Sequence, residues 1–113
     1  AGDNMLKEFV QTVQKNIRAS DVIIRYGGEE FIIILPSIGK NKGLEVLEKV
    51  RIAVSKICLD FNGEKIKTTV SMGMTEIKPE KPYKKAFLDE YVMLADRRLY
   101  MAKDSGRNKI EYS

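Results

Sequence analysis

Arg25-Tyr26-Gly27-Gly28-Glu29-Glu30-Phe31 is the stretch of sequence that decides the fold. It lies between two short apolar runs, residues 22–24 and 31–35, whose β-branched content is typical of buried strands. The two glycines predict a tight hairpin turn, because glycine reaches positive φ without steric cost. The sequence therefore predicts an antiparallel hairpin whose turn lets a ligand approach the backbone.

Two carboxylates, Glu29 and Glu30, follow the glycines where the chain re-enters the predicted sheet. Acids that enter a buried strand are costly unless something pairs with them. A divalent cation carrying nucleotide phosphates is one solution, since hard cations take oxygen ligands. The alternative is a pair of solvated hairpin residues, and so short a motif leaves both interpretations open by itself.

Length and composition predict one compact domain over residues 1–113. Cys58 is the only cysteine, so no intrachain disulfide forms, and we interpret it as a small buried hydrophobe. The apolar runs are too short to cross a bilayer, and no signal-peptide pattern opens the chain. These features favour a reducing cytoplasm and no membrane contact from this segment.

The formal net charge of +4 comes from an excess of lysine. A basic chain can indicate a nucleic-acid partner. The lysines are spread along the sequence, however, and no basic block with interleaved aromatic residues occurs, so we expect no nucleic-acid partner. Charge alone leaves open whether the lysines cover solvated faces or form a site for a polyphosphate.

The order of elements predicted from apolar periodicity is α-β-β-α-β-α-β. Helices are predicted over residues 3–18, 40–57 and 88–103, a strand through residues 66–72, and a short last strand over residues 109–112. This order is typical of the α+β class, with helices covering an antiparallel-rich sheet. The predicted inner faces comprise Met5, Leu6, Phe9, Val13 and Ile17 in the first helix, Leu47, Val50, Val54 and Ile57 in the second, and Leu88, Tyr91, Ala95, Leu99 and Ala102 in the third.

Gly27-Gly28-Glu29-Glu30-Phe31 resembles the signature hairpin of GGDEF-domain diguanylate cyclases, which condense two GTP molecules into cyclic di-GMP. The resemblance implies the nucleotidyl cyclase/polymerase palm fold. It also implies that Glu29 binds a catalytic Mg²⁺ (or Mn²⁺) and accepts the proton of a ribose hydroxyl, with Glu30 in support. Gly27 and Gly28 would let the backbone approach GTP, which is compatible with an ordinary tight hairpin.

Arg18-Ala19-Ser20-Asp21 resembles the inhibitory product site of the same family, because an Arg-x-x-Asp precedes the hairpin there as well. The resemblance implies that Arg18 and Asp21 bind cyclic di-GMP and that Arg51, on the next helix, completes the site. The planar fork of an arginine suits phosphate and guanine edges. The alternative from the residues alone is an ion pair at the end of a helix.

Two further matches concern the substrate. Lys103 and Arg107 resemble the family residues that bind the β- and γ-phosphates of GTP, and the alternative is a plain helix C-cap with Gly106. Asp3 resembles an aspartate that contacts the guanine base, and the alternative is a helix N-cap. Residues 71–75 resemble a family strand whose small residues allow close packing, and we assign them no chemistry.

The chain also departs from the family pattern. It lacks the family's upstream metal aspartate, guanine asparagine, lysine and histidine, and it contains no histidine at all. The resemblance therefore covers the later part of the family domain, without its first central strand. We expect this chain alone to make no cyclic di-GMP. We also expect its exposed strand edges to favour a homodimer or higher oligomer, with exchange of elements as one way of forming it. The alternatives to an enzyme are a non-catalytic cyclic di-GMP sensor and a structural domain of the same fold.

Overall fold

Helices and strands alternate in an α+β arrangement, as the sequence predicts. The computed structural model describes residues 2–27, 30–78 and 87–112, and for residues 2, 3, 87 and 88 it describes the backbone alone. The elements are α1 (Gly2–Lys15), β1 (Val22–Gly27), β2 (Glu30–Ile34), α2 (Lys40–Ser55), β3 (Cys58–Phe61), β4 (Glu64–Lys67), β5 (Met72–Gly73), α3 (Phe87–Asp104) and β6 (Ile110–Glu111). Within those ranges no helix has the length and apolarity that a bilayer crossing needs. The chain divides into two compact units, Ala1–Thr68 and Thr69–Ser113.

The hairpin of the first unit is antiparallel, as predicted. Val22 lies opposite Ile34 and Arg25 opposite Phe31, and the register shifts before Gly27 pairs with Glu30. Helix α1 packs on this hairpin, and the rings of Phe9 and Phe31 lie 5.1 Å apart between centroids. Helix α1 thus half-buries one face of the hairpin. Val22, Ile24 and Ile34 stay exposed, so the strands are not buried as the apolar runs predicted.

The core of the first unit forms where α1 and α2 meet. The predicted inner face of α2 is confirmed, since Leu47, Val50 and Val54 are buried. Ile57 is buried as well, but it lies beyond α2, which ends at Ser55 rather than at residue 57. Of the positions predicted for the first helix, Val13 is fully buried and the others are half-buried. Helix α1 ends at Lys15 rather than at residue 18. The side chain of Asn16 donates to the carbonyl of Thr12, which favours an end at this point.

A second hairpin, β3–β4, was not predicted as a pair. Asn62 and Gly63 form its turn with φ of 51° and 84°, the left-handed pair that an Asn-Gly hairpin requires. The prediction of one strand through residues 66–72 is wrong, because β4 ends at Lys67 and β5 begins at Met72. The alternation of residue types continues through both strands, so the pattern does not reveal where the pairing partner changes.

Cys58 corrects another prediction. It is the first residue of β3 and its side chain is exposed, whereas we expected a buried thiol. The preceding Ile57 takes the buried place at the end of α2. Only one face of a two-stranded ribbon packs against the rest of the protein. A small apolar residue at the start of the ribbon can therefore lie on the open face.

In the second unit, α3 packs on the parallel pair β5–β6. Met72 lies opposite Ile110 and Gly73 opposite Glu111. A Cβ at Gly73 would lie 1.9 Å from the carbonyl oxygen of Ala95 in α3. The strand and the helix backbone therefore touch directly, which confirms the close packing expected from the small residues of this strand.

Candidate functional site

The predicted catalytic turn lies at the end of the first hairpin. Gly27 and Glu30 form the last described pair of β1 and β2, and Gly28 and Glu29 lie outside the described residues. Gly27 keeps a strand conformation, and positive φ occurs at Gly63 and Gly106 instead. The expected use of positive φ therefore does not hold at Gly27. A Cβ added there would meet no atom of the described residues within 4 Å, its chain neighbours aside, so this part of the backbone is open to an approaching ligand.

Glu30 is the first residue of β2 and is half-buried. Across the residues that the structure describes, no group of three Asp, Glu, Cys or His side chains could hold a metal ion. Glu30 thus offers one carboxylate of the oxygen type that Mg²⁺ prefers, next in sequence to Glu29. Adjacent carboxylates supply part of such a ligand set, and phosphate oxygens and water commonly complete it.

Arg18 and Asp21 form an ion pair between α1 and β1. The Nε of Arg18 donates to both carboxylate oxygens of Asp21 at 3.1 Å, and its Nη2 donates to Oδ1 at 2.7 Å. The backbone N–H of Arg18 donates to Oδ2 at 2.7 Å, and that of Asp21 donates to the carbonyl of Arg18 at 3.0 Å. The two residues are thereby fixed to each other through side chains and main chain.

The pair combines a buried carboxylate with an accessible guanidinium. The side chain of Asp21 has 0% of its surface exposed, whereas that of Arg18 has 43%. The hydrogen bonds from Arg18 hold the pKa of the Asp21 carboxyl below its ordinary value, against the opposite effect of burial. The same contact raises the pKa of Arg18. Both predicted interpretations are compatible with this geometry, since the ion pair leaves part of the arginine open to an anion.

We expect Asp21 to make the free energy of unfolding depend on pH in the acidic range. Because its folded pKa lies below the ordinary value of 3.8, its contribution is complete above that value and is lost as the pH falls through the folded pKa. The difference in unfolding free energy between the wild type and Asp21→Asn should therefore shrink from about pH 5 to about pH 3. Urea titrations followed by far-UV circular dichroism measure it, and a constant difference over this range contradicts the prediction.

Arg18 has a further partner that the sequence did not indicate. Its Nη2 donates to the main-chain carbonyl of Pro36 at 2.6 Å, just beyond β2. From the sequence, Pro36 is predicted only to end a strand. A main-chain acceptor is common to every residue type, so no sequence signal could have identified this one.

Arg51 contacts Glu48, three residues earlier in α2. Its Nε donates to Oε2 at 3.0 Å, its Nη2 donates to Oε1, and the contact lowers the pKa of Glu48. The spacing of three residues on one helix could have predicted this pair. The contribution of Arg51 to a product site stays a prediction.

Lys103 and Arg107 flank the end of α3 in the second unit. Lys103 lies in the last helical turn, and the N–H of Arg107 donates to the carbonyl of Ala102 at 2.9 Å. Gly106 has a φ of 120°, so the glycine-bent C-cap is present as predicted. Both cationic side chains are exposed.

The backbone beyond this cap remains left-handed. Arg107 and Asn108 have φ of 63° and 48°. Asparagine tolerates this region, whereas arginine occupies it at a cost of about 1 kcal/mol. A strained arginine on an exposed turn points to a use for its side chain.

Asp3 is the second residue of α1, and its side chain lies outside the described residues. The backbone of Asp3 thus lies within the first helical turn and not at the N-cap. Its contact with a guanine base stays a prediction.

Comparison with known proteins agrees with this arrangement. The family model "Diguanylate cyclase, GGDEF domain" matches residues 1–109. The chain is 37% identical over 111 residues to diguanylate cyclase DosC of Escherichia coli K12, and this match covers 97% of the chain and 23% of that protein. The chain therefore spans about a quarter of the length of this relative.

Solved structures show the same fold. The diguanylate cyclase SiaD of Pseudomonas aeruginosa, in complex with its activator SiaC, matches with a TM-score of 0.88 and 32% identity, over 99% of this chain and 41% of that one. The GGDEF domain of DgcB from Caulobacter crescentus, in complex with c-di-GMP, matches with a TM-score of 0.84 and 29% identity, over 98% of this chain and 64% of that one.

Proposed function

Because the chain belongs to the GGDEF domain family of diguanylate cyclases, we propose that it is part of an enzyme that condenses two GTP molecules into cyclic di-GMP. The observation that carries the proposal is the β1–β2 hairpin, whose strands are joined in sequence by the Gly-Gly-Glu-Glu of residues 27–30. In each condensation a ribose 3′-hydroxyl attacks the α-phosphate of the other GTP, and pyrophosphate leaves. Two such steps close the cyclic product.

The hairpin supplies the acidic side of this chemistry. Glu29 accepts the proton of the attacking hydroxyl, and it binds the divalent cation with support from Glu30. When bound, Mg²⁺ or Mn²⁺ neutralises the developing phosphate charge. Gly27 contributes open backbone, since no described residue other than its chain neighbours would contact a Cβ at this position.

The end of α3 carries two cations that suit phosphates. Lys103 provides a point charge and Arg107 a planar fork of donors for the β- and γ-phosphates of GTP. The left-handed φ of Arg107 supports this role, because a residue needed only for the cap would be glycine or asparagine. Asp3 accepts hydrogen bonds from the guanine N1–H and N2–H, which adenine cannot offer.

Replacing Arg107 by glycine should separate the two roles of this turn. Glycine has no steric penalty at a φ of 63°, so the variant should be up to about 1 kcal/mol more stable than the wild type. Its GTP affinity should fall by about tenfold or more, because a charge-assisted phosphate contact is lost. Asn108→Gly, which relaxes the same turn, is the control and keeps the affinity. Retained GTP binding in Arg107→Gly would leave a plain C-cap as the function of this segment.

Cyclic di-GMP also binds as an inhibitor at Arg18 and Asp21, with Arg51 from α2 completing the site. The 43% exposure of Arg18 supports this role, because the guanidinium is held in place and still accessible. The enzyme works as a homodimer, in which each copy holds one GTP. Its substrate places it in the cytoplasm.

A direct assay tests the proposal. The full-length protein is incubated with GTP and Mg²⁺, and cyclic di-GMP is measured by liquid chromatography. Turnover that falls on addition of cyclic di-GMP, and that no longer falls in Arg18→Ala, is the expected result. Binding of cyclic di-GMP without turnover would instead favour the sensor, which the described Arg18–Asp21 pair equally supports. Absence of both would leave a structural domain.

A further inference from the structure

The donors of Arg18 are distributed unequally. Nε and one hydrogen of Nη2 are directed to Asp21, and Nη2 also donates to the carbonyl of Pro36 at 2.6 Å. An arginine nitrogen of this type carries two hydrogens, so Nη2 is fully used. Among the described residues Nη1 has no hydrogen-bond partner, and only this corner of the guanidinium is free.

This distribution limits how a ligand can bind. Two-point recognition of a phosphate or a guanine edge needs two neighbouring N–H groups of the arginine fork. The edge facing Asp21 is occupied by a carboxylate with no exposed surface. The remaining edge joins Nη1 and Nη2, and its Nη2 hydrogen is taken by Pro36. A ligand that accepts hydrogen bonds from both Nη1 and Nη2 must therefore displace the Pro36 carbonyl.

The position of that carbonyl depends on a strained residue. Ser37 has a φ of 54°, in the left-handed region that favours glycine. The Pro36 carbonyl and the Ser37 nitrogen belong to one peptide unit, so the φ of Ser37 governs its orientation. The contact with Arg18 and the left-handed turn at Ser37 thus belong to one conformation of the segment that follows β2.

We propose that the Pro36 carbonyl is an internal competitor of cyclic di-GMP for Nη2 of Arg18 and so sets the affinity of the product site. When the ligand binds, Nη2 of Arg18 donates to the ligand instead of to the Pro36 carbonyl. Ser37 then leaves its left-handed conformation. The hydrogen bonds of Asp21 to Arg18 hold the guanidinium in place in both states. This inference rests on the product site proposed above.

Substitutions at Ser37 test the competition without changing Arg18 or Asp21. Ser37→Gly favours the left-handed turn, so its Kd for cyclic di-GMP should rise by about threefold to fivefold. Ser37→Val disfavours that turn, because a β-branched residue rarely adopts positive φ, and its Kd should fall by a similar factor. Isothermal titration calorimetry on the full-length protein measures both. Asn62→Gly makes the same kind of change at a φ of 51° in the β3–β4 turn and should leave the Kd unchanged.

The outcomes separate this inference from the site on which it rests. Binding that is lost in Arg18→Ala but equal in both Ser37 variants overturns the competition and leaves the product site intact. Binding that is tighter in Ser37→Gly shows that the turn prepares Arg18 for the ligand instead, and also overturns it. Absence of cyclic di-GMP binding in the wild type removes the product site and this inference together.

Discussion

Replacing Gly73 by alanine is expected to unfold the Thr69–Ser113 unit or to lower its stability by about 3 kcal/mol or more. The added Cβ would lie 1.9 Å from the Ala95 carbonyl oxygen and 2.3 Å from the Leu99 nitrogen. Both are backbone atoms of α3, so no side-chain rotation relieves the overlap. The strand and the helix have to separate, and the packing between them is lost.

The loss should be visible in particular amides. The N–H groups of Met72 and Met74 donate to the carbonyls of Lys109 and Glu111 at 2.9 Å. Their hydrogen exchange should become fast in Gly73→Ala, because β5 can no longer stay beside β6 and α3 together.

Gly39→Ala is the matched control for this prediction. Gly39 has an ordinary φ of −80°, and a Cβ there meets no atom within 4 Å. Its cost should stay below about 1 kcal/mol, the range of an exposed N-cap change. Equal unfolding midpoints in urea for Gly73→Ala and Gly39→Ala would contradict the close contact with α3.

The α+β class and the first hairpin could be predicted because their signals are local. Apolar runs on both sides of a Gly-Gly step define two strands and their antiparallel pairing without any distant information. The face of α2 that carries Leu47, Val50 and Val54 follows from helical periodicity in the same way. For these elements, tertiary packing agrees with local preference.

The errors arose where pairing partners lie far apart in sequence. Nothing in the alternation through residues 64–73 shows that β4 pairs with the preceding strand and β5 with β6, which follows α3. Cys58 is exposed for a related reason, since burial depends on which face of the β3–β4 ribbon is covered.

In the candidate site, too, the features with local sequence signals could be predicted and the others could not. The pairing of Arg18 with Asp21 follows from their spacing, and the glycine-bent cap beside Arg107 follows from the Ser-Gly-Arg-Asn sequence. The contact of Arg18 with Pro36 does not, because it joins two loops through a main-chain atom. The left-handed φ values of Ser37 and Arg107 were equally invisible, since neither residue type favours them.

Replacing Glu29 by glutamine should reduce cyclic di-GMP formation by roughly 10²–10⁴-fold in the full-length protein, the range expected when a catalytic base is removed. Glutamine keeps the size of the side chain but can neither accept the proton of the ribose hydroxyl nor hold a cation by charge. The hairpin itself should persist in this variant. Residues 22–25 pair with residues 31–34 through main-chain groups, and the hairpin also contacts α1 through Phe31.

Glu64→Gln offers a matched control for this loss. Glu64 also follows a glycine at a hairpin turn, and it is exposed at the start of β4. The same removal of one negative charge there should leave turnover within about twofold, because Glu64 has no role in the proposed reaction and salt screens the field of an exposed charge. Circular dichroism should show unchanged secondary structure for both variants. If Glu29→Gln retains turnover close to that of Glu64→Gln, the acid of the Gly-Gly turn is not the base, and Glu30 becomes the residue to test for that role.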